Sequence, residues 1–381
     1  MDFELTEEQQ MFKSMVRDFA TRELEPVAAQ IDEDERFPAE SIQKMAELGL
    51  FGVTIPEEYG GSGGDNVHFV IAGEEIAYAC ASTCAIWGAS LSLGCHAIYD
   101  YGSEEQKRRW VDPLARGQKL ACFGLTESMA GSDAAAIQST AVRQGNEYIL
   151  DGTKVFITNG DVADIAVVFA TLDRSLGYRG ICGFVIEKGS PGFSAGKREH
   201  KLGIRASTTT ELVMENCRVP EENRLGEEGR GFRVAIGTID GSRLFVSAQA
   251  LGIAQVAFDS SLRYARERQQ FGQPIANFQA IQWMLADMAT TIDAARLLTY
   301  RAAWLRDRGL PFIKESAMAK VFASEVAMAV TTKAIQILGG YGYVKDYPLE
   351  RYFRDAKITE IYEGTSEMQR MTIARSILSE S

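Results

Sequence analysis

The short apolar runs Ala166-Val167-Val168-Phe169-Ala170 and Ile181-Cys182-Gly183-Phe184-Val185-Ile186 decide the fold class of this chain. Runs of this length, rich in β-branched and aromatic residues, predict β-strands. The Thr-rich segment 208–213 predicts a further strand, and Pro220 closes the zone. Helical stretches of about 10–15 residues do not alternate with these strands, so the zone 119–226 is predicted to be an antiparallel β-barrel or sandwich rather than a parallel sheet.

A hairpin is predicted inside this zone. Segments 142–150 and 154–158 flank Asp151-Gly152, a dipeptide typical of a tight turn between two strands.

The zones on either side have the periodicity of helices. In residues 1–118, Thr6 with Gln9 and Ser103 with Gln106 predict two capping boxes, while Pro38 and Gly49 predict the start and stop of one helix. In residues 227–381, the stretches 277–308 and 314–337 are rich in Ala and Met and predict long helices packed in a bundle. The sequence thus predicts an α+β chain of three domains, 1–118, 119–226 and 227–381, with the β domain in the middle.

Composition limits the functional classes. The 381 residues include 40 basic and 52 acidic side chains, and the resulting net charge of −12 argues against binding to nucleic acid or anionic lipid. The sequence contains no run of 18 consecutive apolar residues, so no membrane span is predicted. The N-terminus resembles neither a signal peptide nor a transit peptide. Six scattered cysteines and three histidines predict free thiols and no metal site.

Taken singly, the chemistry-bearing motifs favour ordinary structural roles. Gly60-Gly61-Ser62-Gly63-Gly64 lacks the Lys-Ser/Thr of a phosphate loop and predicts a flexible turn between helices. The turn at 123–133 could hold a polar ring or a phosphate, and Phe156 could stack on a planar cofactor, but a Ser/Thr turn and core packing are the default interpretations. Gly272 is predicted to stop the helix that carries Arg268. Glu363 is typical of a surface loop, although its apolar neighbours favour partial burial and a raised pKa.

Together, and in order, these motifs resemble the acyl-CoA dehydrogenase family over essentially the whole chain. The matching phrases are Leu125-Thr126-Glu127 with Gly131-Ser132-Asp133, Ile157-Thr158-Asn159-Gly160, Arg268-Gln269-Gln270-Phe271-Gly272, Gln336-Ile337-Leu338-Gly339-Gly340-Tyr341-Gly342, and Arg354-Asp355-Ala356-Lys357 running to Ile361-Tyr362-Glu363-Gly364-Thr365. The likeness is greatest to short-chain, butyryl-type bacterial members.

The resemblance implies a helical N-terminal domain, a middle β domain and a C-terminal four-helix bundle. It also implies an FAD enzyme, usually a homotetramer built as a dimer of dimers, that oxidises an acyl-CoA to the trans-2-enoyl-CoA and passes electrons to electron-transferring flavoprotein. A cytoplasmic bacterial location is expected.

The resemblance also assigns roles to single residues. Glu363 matches the base that removes the α-proton while a hydride goes from the β-carbon to the flavin. The residues matched to cofactor contacts are Phe123, Leu125, Thr126, Ser132, Phe156, Thr158, Arg268, Phe271, Gln279, Gln336, Gly339, Gly340, Thr365 and Glu367, of which Arg268 and the 336–340 segment reach across a subunit interface. The residues matched to substrate contacts are Ser132, Asp240, Arg243 and Gly364.

Three positions depart from the family pattern. Phe156 replaces a frequent Trp, and Glu367 stands where many members have Gln. Some branches carry the base near residue 242, but Gly241 and Ser242 cannot serve, which supports Glu363. Two alternatives stay open: an acyl-CoA oxidase, and a catalytically silent subunit that binds flavin or CoA.

Trp87 bears on the length of the acyl chain. The helix around 84–93 matches part of the acyl-pocket wall, and an inward Trp87 would restrict the substrate to short, branched or cyclic chains. Packing of Trp87 in a core between helices is the alternative.

Overall fold

The computed structural model describes residues 4–379. Both predicted capping boxes are present, with Thr6 and Ser103 as the N-caps of their helices. Pro38 precedes a helix, and Gly49, at φ +73°, follows its end in the left-handed conformation that favours glycine. The helices before the sheet are α1 (Glu7–Phe19), α2 (Glu25–Glu33), α3 (Ala39–Glu47), α4 (Asn66–Ala79), α5 (Ala81–Gly88), α6 (His96–Tyr101), α7 (Glu104–Gln106) and α8 (Asp112–Ala115).

The middle segment forms one mixed sheet whose strands run in the order β6-β7-β3-β2-β4-β5-β8, with β1 beside β4. Neighbouring strands are antiparallel, with two exceptions. β1 runs parallel to β4, and β2 pairs with β4 in parallel at a single pair of residues. The predicted antiparallel β domain is therefore confirmed, except that β1 and one residue of β2 pair with β4 in parallel. The strands are β1 (Ala121–Gly124), β2 (Thr140–Gln144), β3 (Glu147–Thr158), β4 (Ile165–Thr171), β5 (Ile181–Glu187), β6 (Phe193–Arg198), β7 (Thr209–Pro220) and β8 (Arg224–Leu225).

The predicted hairpin at Asp151-Gly152 is also wrong. β3 runs unbroken through these residues, and the tight turn lies at Gly145-Asn146, where Gln144 pairs with Glu147. Gly152 instead marks a bulge in which a Cβ atom would lie 2.3 Å from the Ser139 hydroxyl. The glycine is needed there for the close approach of another chain segment, not for a turn.

β4 is buried on both faces, which explains its continuous apolar run. Ile165, Val167 and Phe169 face the core that the sheet shares with the N-terminal helices. Alternate residues of the strand face the interior of the β domain. The sheet therefore rests directly on the helical domain.

The C-terminal segment is helical, and its central helix is α11. It packs against the four other helices of this segment, α9, α10, α12 and α13. These elements are α9 (Gly231–Glu267), the short strands β9 (Gln269–Gln270) and β10 (Gln273–Pro274), α10 (Gln279–Asp307), α11 (Ile313–Leu338), α12 (Leu349–Ile358) and α13 (Ser366–Ser379). Helix α9 ends at Glu267, immediately before Arg268. Phe271 and Gly272 form the turn between β9 and β10, with φ angles of +53° and +78°. Gly272 is thus a hairpin glycine, which corrects its prediction as a helix stop.

Length and apolar composition would allow one helical stretch of the described chain, Ile313–Tyr343, to cross a membrane. Half of its apolar window is buried against the rest of the protein, as in the central helix of a bundle. No group of three or more His, Cys, Asp or Glu residues that could hold a metal occurs between residues 4 and 379. All six cysteines are free and buried.

Three domains meet at the dipeptide Arg354-Asp355 of α12. Arg354 Nη2 lies 2.8 Å from Asp32 Oδ2 of α2, and Nη1 donates to the carbonyl of Leu202 at 3.1 Å. The Asp355 carboxylate accepts the amide of Ile204 at 2.6 Å. These contacts fix the helical domains and the β domain relative to one another, eight residues before Glu363.

Candidate active site

Glu363 lies in the short segment between α12 and α13, next to the core. Its Oε2 atom is buried and has no hydrogen-bond partner in the protein. The preceding Tyr362 hydroxyl donates to the side chain of Gln249 on α9, which fastens the segment to the bundle. A buried carboxyl oxygen without a partner is rare in a folded protein and marks a group that awaits a ligand. The surface-loop interpretation of Glu363 is therefore wrong.

The surroundings of Glu363 shift its pKa. Burial raises the pKa of the carboxyl to about 7, while the Ser242 hydroxyl and the positive charges of Lys320 and Arg243 oppose that rise. A general base works best when its pKa lies near the working pH. The carboxyl of Glu363 meets this condition at neutral pH.

The α9 segment 240–243 lies opposite this carboxyl. Arg243 Nη1 is 2.8 Å from Asp240 Oδ1, and both side chains are almost fully buried. The Nε atom of the guanidinium donates to no acceptor in the protein, and a buried donor without an acceptor is costly. The structure thus brings Asp240 and Arg243, both predicted to contact substrate, close to Glu363. Ser242, which cannot be a base itself, lies in the same segment, and its hydroxyl is close to the Glu363 carboxyl.

A second group of predicted residues lines the first strand of the sheet and the turn after it. Phe123 packs at 5.0 Å from the Phe169 ring, Leu125 is buried, and the carbonyl of Thr126 accepts the amide of Val155 in β3 at 2.9 Å. Ser132 lies farther along the same turn and is exposed. Leu125 belongs to the core cluster against which Phe123 and Tyr362 pack, so this group and the segment of Glu363 share one core.

Phe156 is 64% exposed, so core packing is the wrong interpretation of this aromatic residue. It adopts a φ of +60° at a bulge of β3, which breaks the alternation of the strand. Ile157 is consequently buried while Thr158 is half-buried. Exposure of a large aromatic side chain in a strained backbone conformation is typical of a ligand contact.

A third group lies apart from the base, at one end of the helical bundle. The Arg268 guanidinium is 5.5 Å from the centre of the Tyr341 ring, which connects the β9–β10 hairpin with the end of α11. Phe271 is 93% exposed at the tip of that hairpin. The other predicted members of this group, all exposed, are Gln279, Gln336, Gly339 and Gly340.

The last predicted residues follow the base directly. Gly364 has a φ of +93°, and Thr365 precedes α13, with its hydroxyl 3.4 Å from the amide of Met368. Glu367 is exposed in the first turn of α13.

Trp87 does not face an open pocket. It is fully buried, its ring lies 5.0 Å from that of Phe69 and 6.4 Å from that of Phe245, and it belongs to the large core cluster. The structure therefore supports the core interpretation and not the pocket wall.

Sequence comparison agrees with this geometry. The chain matches the sequence models "Acyl-CoA dehydrogenase, N-terminal domain" over residues 6–118, "middle domain" over 122–217 and "C-terminal domain" over 229–378. The chain belongs to the acyl-CoA dehydrogenase family. Members of the acyl-CoA dehydrogenase family are flavin-dependent oxidoreductases.

Individual relatives cover almost the whole chain. It is 53% identical to the short-chain specific acyl-CoA dehydrogenase of Clostridium acetobutylicum, over 99% of this chain and 100% of the relative. It is equally 53% identical to the acryloyl-CoA reductase (NADH) of Anaerotignum propionicum, over 99% of this chain and 96% of the relative. A chain in a solved structure of the electron transferring flavoprotein of Acidaminococcus fermentans superposes with a TM-score of 0.98 at 51% identity, covering 99% of this chain and 100% of that one.

The residues present fit a flavin acyl-CoA dehydrogenase. Phe156 offers an exposed aromatic face, and the turn after β1 offers hydroxyls. Glu363 and Arg243 carry buried polar atoms without protein partners. These are the donors, acceptors and stacking surface that a planar ring system and a thioester require.

Two residues at this site were not predicted, Lys320 of α11 and Gln369 of α13. Both are fully buried and donate hydrogen bonds to the backbone of the Glu363 segment. The available signal was weak: Lys320 is a lone charge within the apolar run Ala317-Met318-Ala319-Lys320-Val321-Phe322-Ala323.

Proposed function

We propose that this protein converts a short-chain acyl-CoA, whether linear, branched or cyclic, to the 2-enoyl-CoA, and that Glu363 is the catalytic base. The observation that carries the proposal is the carboxyl of the half-buried Glu363, whose Oε2 atom is buried without a partner and whose pKa is raised to about 7. Such a group at neutral pH is divided between its ionised and neutral forms, so it can accept a proton from carbon.

The substrate's α-proton is weakly acidic. When this proton is removed, negative charge develops on the thioester oxygen, and the protein must stabilise that charge. The backbone N–H of Glu363 is proposed to donate to this oxygen, together with a ribityl hydroxyl of the cofactor. The buried cations of Lys320 and Arg243 favour the ionised form of Glu363 and so keep it ready as a base. FAD, when bound, supplies the acceptor for the hydride from the β-carbon.

The proposed FAD-binding residues form two sets. One lies on the sheet and beside the base: Phe123, Leu125, Thr126, Ser132, Phe156, Thr158, Thr365 and Glu367. The other lies at the exposed bundle end and would reach the cofactor of a neighbouring subunit: Arg268, Phe271, Gln279, Gln336, Gly339 and Gly340. Exposure of Phe271 and Arg268 supports this assignment, since a cofactor and a second subunit would cover them. A homotetramer arranged as a dimer of dimers is proposed accordingly.

Ser132, Asp240, Arg243 and Gly364 are proposed to contact the acyl-CoA. Electron-transferring flavoprotein is the proposed electron acceptor, supported by the structural likeness to a chain in the solved structure of the electron transferring flavoprotein of Acidaminococcus fermentans. The short-chain specific relative supports a small acyl group of about four to six carbons. The likeness to an acryloyl-CoA reductase supports the reverse direction as a second candidate, because a base that removes the α-proton also returns it.

The domain bounds 1–118, 119–226 and 227–381 are proposed as well, supported by the three family matches. A bacterial cytoplasmic location is proposed on the strength of the bacterial relatives and the buried, free cysteines.

The deciding experiment is anaerobic mixing of the FAD-loaded protein with acyl-CoAs from butyryl to palmitoyl, followed by absorbance of the flavin. We expect bleaching with short chains, and loss of at least about 10³-fold of the rate in Glu363→Gln. Glu360→Gln, which changes a neighbouring glutamate paired with Lys357, is the matched control and should keep the wild-type rate. Retention of more than a tenth of the rate by Glu363→Gln would contradict the assignment.

The same samples separate the alternatives. Rapid reoxidation when air is admitted would indicate an oxidase, and absence of bleaching with every acyl-CoA would indicate a silent binding subunit.

A further inference from the structure

The segment that carries Glu363 has an unfavourable backbone conformation. Glu363 has a φ of +53° and Gly364 a φ of +93°. A positive φ is readily adopted by glycine but is disfavoured for a glutamate, whose Cβ crowds the backbone. Other contacts must therefore hold the segment in place.

Two buried side chains from different helices make these contacts. Lys320 Nζ donates to the carbonyl of Gly364 at 2.7 Å. Gln369 Nε2 donates to the carbonyl of Glu363 at 3.1 Å and to that of Gly364 at 2.9 Å. Both side chains are 0% exposed, so water does not compete for these bonds.

We propose that Lys320 and Gln369 are positioning residues that clamp the Glu363–Gly364 peptide in its left-handed conformation and thereby aim the Glu363 carboxyl at the substrate α-carbon. The inference rests on the proposed role of Glu363 and adds two residues that hold it. Neither side chain needs to touch the substrate, since each acts through the backbone of the base.

The clamp combines one charged and one neutral donor, and their effects differ. The charged groups that face Glu363 are Lys320 on α11 and Arg243 on α9, whose own partner is Asp240. Burial is the largest influence on Lys320 and lowers its pKa to about 8. The charge of Glu363 raises this pKa and that of Arg243 lowers it, while Glu360 and Glu367 raise it by smaller amounts. Lys320 therefore remains largely protonated at pH 7. Its removal should raise the pKa of Glu363, whereas removal of Gln369 should not.

The test compares Lys320→Met, Lys320→Arg and Gln369→Leu in the FAD-loaded protein, with Lys333→Met as the control on the same helix. Lys333 pairs with Asp287 at the protein surface, away from the base. Two quantities are measured: the rate of flavin reduction by butyryl-CoA from pH 5.5 to 8.5, and hydrogen exchange of the amides of residues 362–366 without substrate.

We expect Lys320→Met to slow flavin reduction at pH 7 by about 10- to 100-fold, as a small displacement of a reacting group does. Its pH midpoint should move up by about one unit, and exchange at 362–366 should become faster. Gln369→Leu should speed exchange and slow reduction without moving the midpoint. Lys320→Arg should recover part of the rate, and Lys333→Met should match the wild type.

The proposed clamp would be overturned if Lys320→Met had the wild-type rate of flavin reduction, the wild-type pH midpoint and the wild-type rate of hydrogen exchange, provided that Glu363→Gln is inactive in the same assay. If Glu363→Gln is active instead, the proposed function itself fails, so the two failures are distinguishable. Should Lys320→Met not fold, Gln369→Leu decides by exchange and rate: unchanged values overturn the proposal, and the expected changes support it.

Discussion

Lys154 Nζ lies 2.7 Å from Glu127 Oε1, and this ion pair is buried directly behind the turn that carries Leu125 and Thr126. The ammonium group also donates to the Leu125 carbonyl at 3.4 Å, while Glu127 accepts the amides of Gln138 and Ser139. Burial lowers the pKa of Lys154 to about 8 despite its partner. The pair therefore joins both ends of the proposed flavin turn to β3.

Lys154→Met should lower the free energy of unfolding by about 3–5 kcal/mol, because it leaves the Glu127 carboxylate buried and unpaired. Glu127→Gln combined with Lys154→Met should recover much of this loss, since neither charge then remains and the side-chain amide oxygen can still accept a backbone N–H. Urea unfolding at pH 7 with excess FAD measures both variants. Equal stabilities of the single and double variants would contradict the pairing.

Replacement of Trp87 tests its place in the core. Its indole nitrogen donates to the carbonyl of Leu50 at 2.9 Å, so Trp87→Ala creates a cavity and also leaves an acceptor unpaired. We expect a loss of about 3–5 kcal/mol in unfolding free energy. The acyl chain length with the highest kcat/KM should stay the same in Trp87→Phe, a milder replacement. A shift of that optimum to longer chains would return Trp87 to the pocket wall.

Arg268→Ala tests the proposed contact between the bundle end and a neighbouring subunit's cofactor. Loss of one charge-assisted phosphate contact should weaken FAD binding by about 1.5–3 kcal/mol, or roughly 10- to 150-fold. Arg266→Ala, which changes an exposed residue in the last turn of α9 two positions before Arg268, is the control and should bind FAD normally. Equilibrium dialysis of apoprotein against FAD measures both. Normal binding by Arg268→Ala would remove the residue from the cofactor site.

The raised pKa of Glu363 also predicts a cost to stability. Folding moves this pKa from 4.5 to about 7, so the native state holds the proton more tightly than the unfolded chain does. The resulting stabilisation is complete below pH 4.5 and is lost as the pH rises through 7. Glu363→Gln should therefore be within about 1 kcal/mol of the wild type near pH 5 and exceed it by up to about 3 kcal/mol at pH 8. Chemical unfolding at the two pH values measures the difference, and an unchanged difference between them would contradict the shift.

Most helices and strands could be predicted because their signals are local. The capping residues Thr6 and Ser103 and the apolar run of β4 each specify their element within a few positions. Glycine residues were less reliable indicators of local structure. Gly152 and Gly272 were assigned to a turn and a helix stop, but a glycine that permits a close approach and one that turns a hairpin look alike in sequence.

The site was predictable only where a motif marks it. Glu363 and its neighbours were found through family phrases, whereas the positive φ of Phe156 and of Glu363 has no local signature. Lys320 lies 43 positions before Glu363, and only the packing of α11 beside the segment brings the two together. Contacts between distant parts of the chain are set by the tertiary fold, and no spacing rule encodes them.

The Arg354-Asp355 junction has a consequence for modularity. Because one dipeptide of α12 bonds to α2 and to the β domain, one ion pair and two hydrogen bonds to the backbone join the three domains eight residues before Glu363. Recombination between relatives at a domain boundary would separate Arg354 from the Asp32 with which it pairs. A chimeric enzyme made in this way is expected to keep this junction only if both parents carry Asp32, Arg354 and Asp355, so the choice of a crossover point has to take these three positions into account.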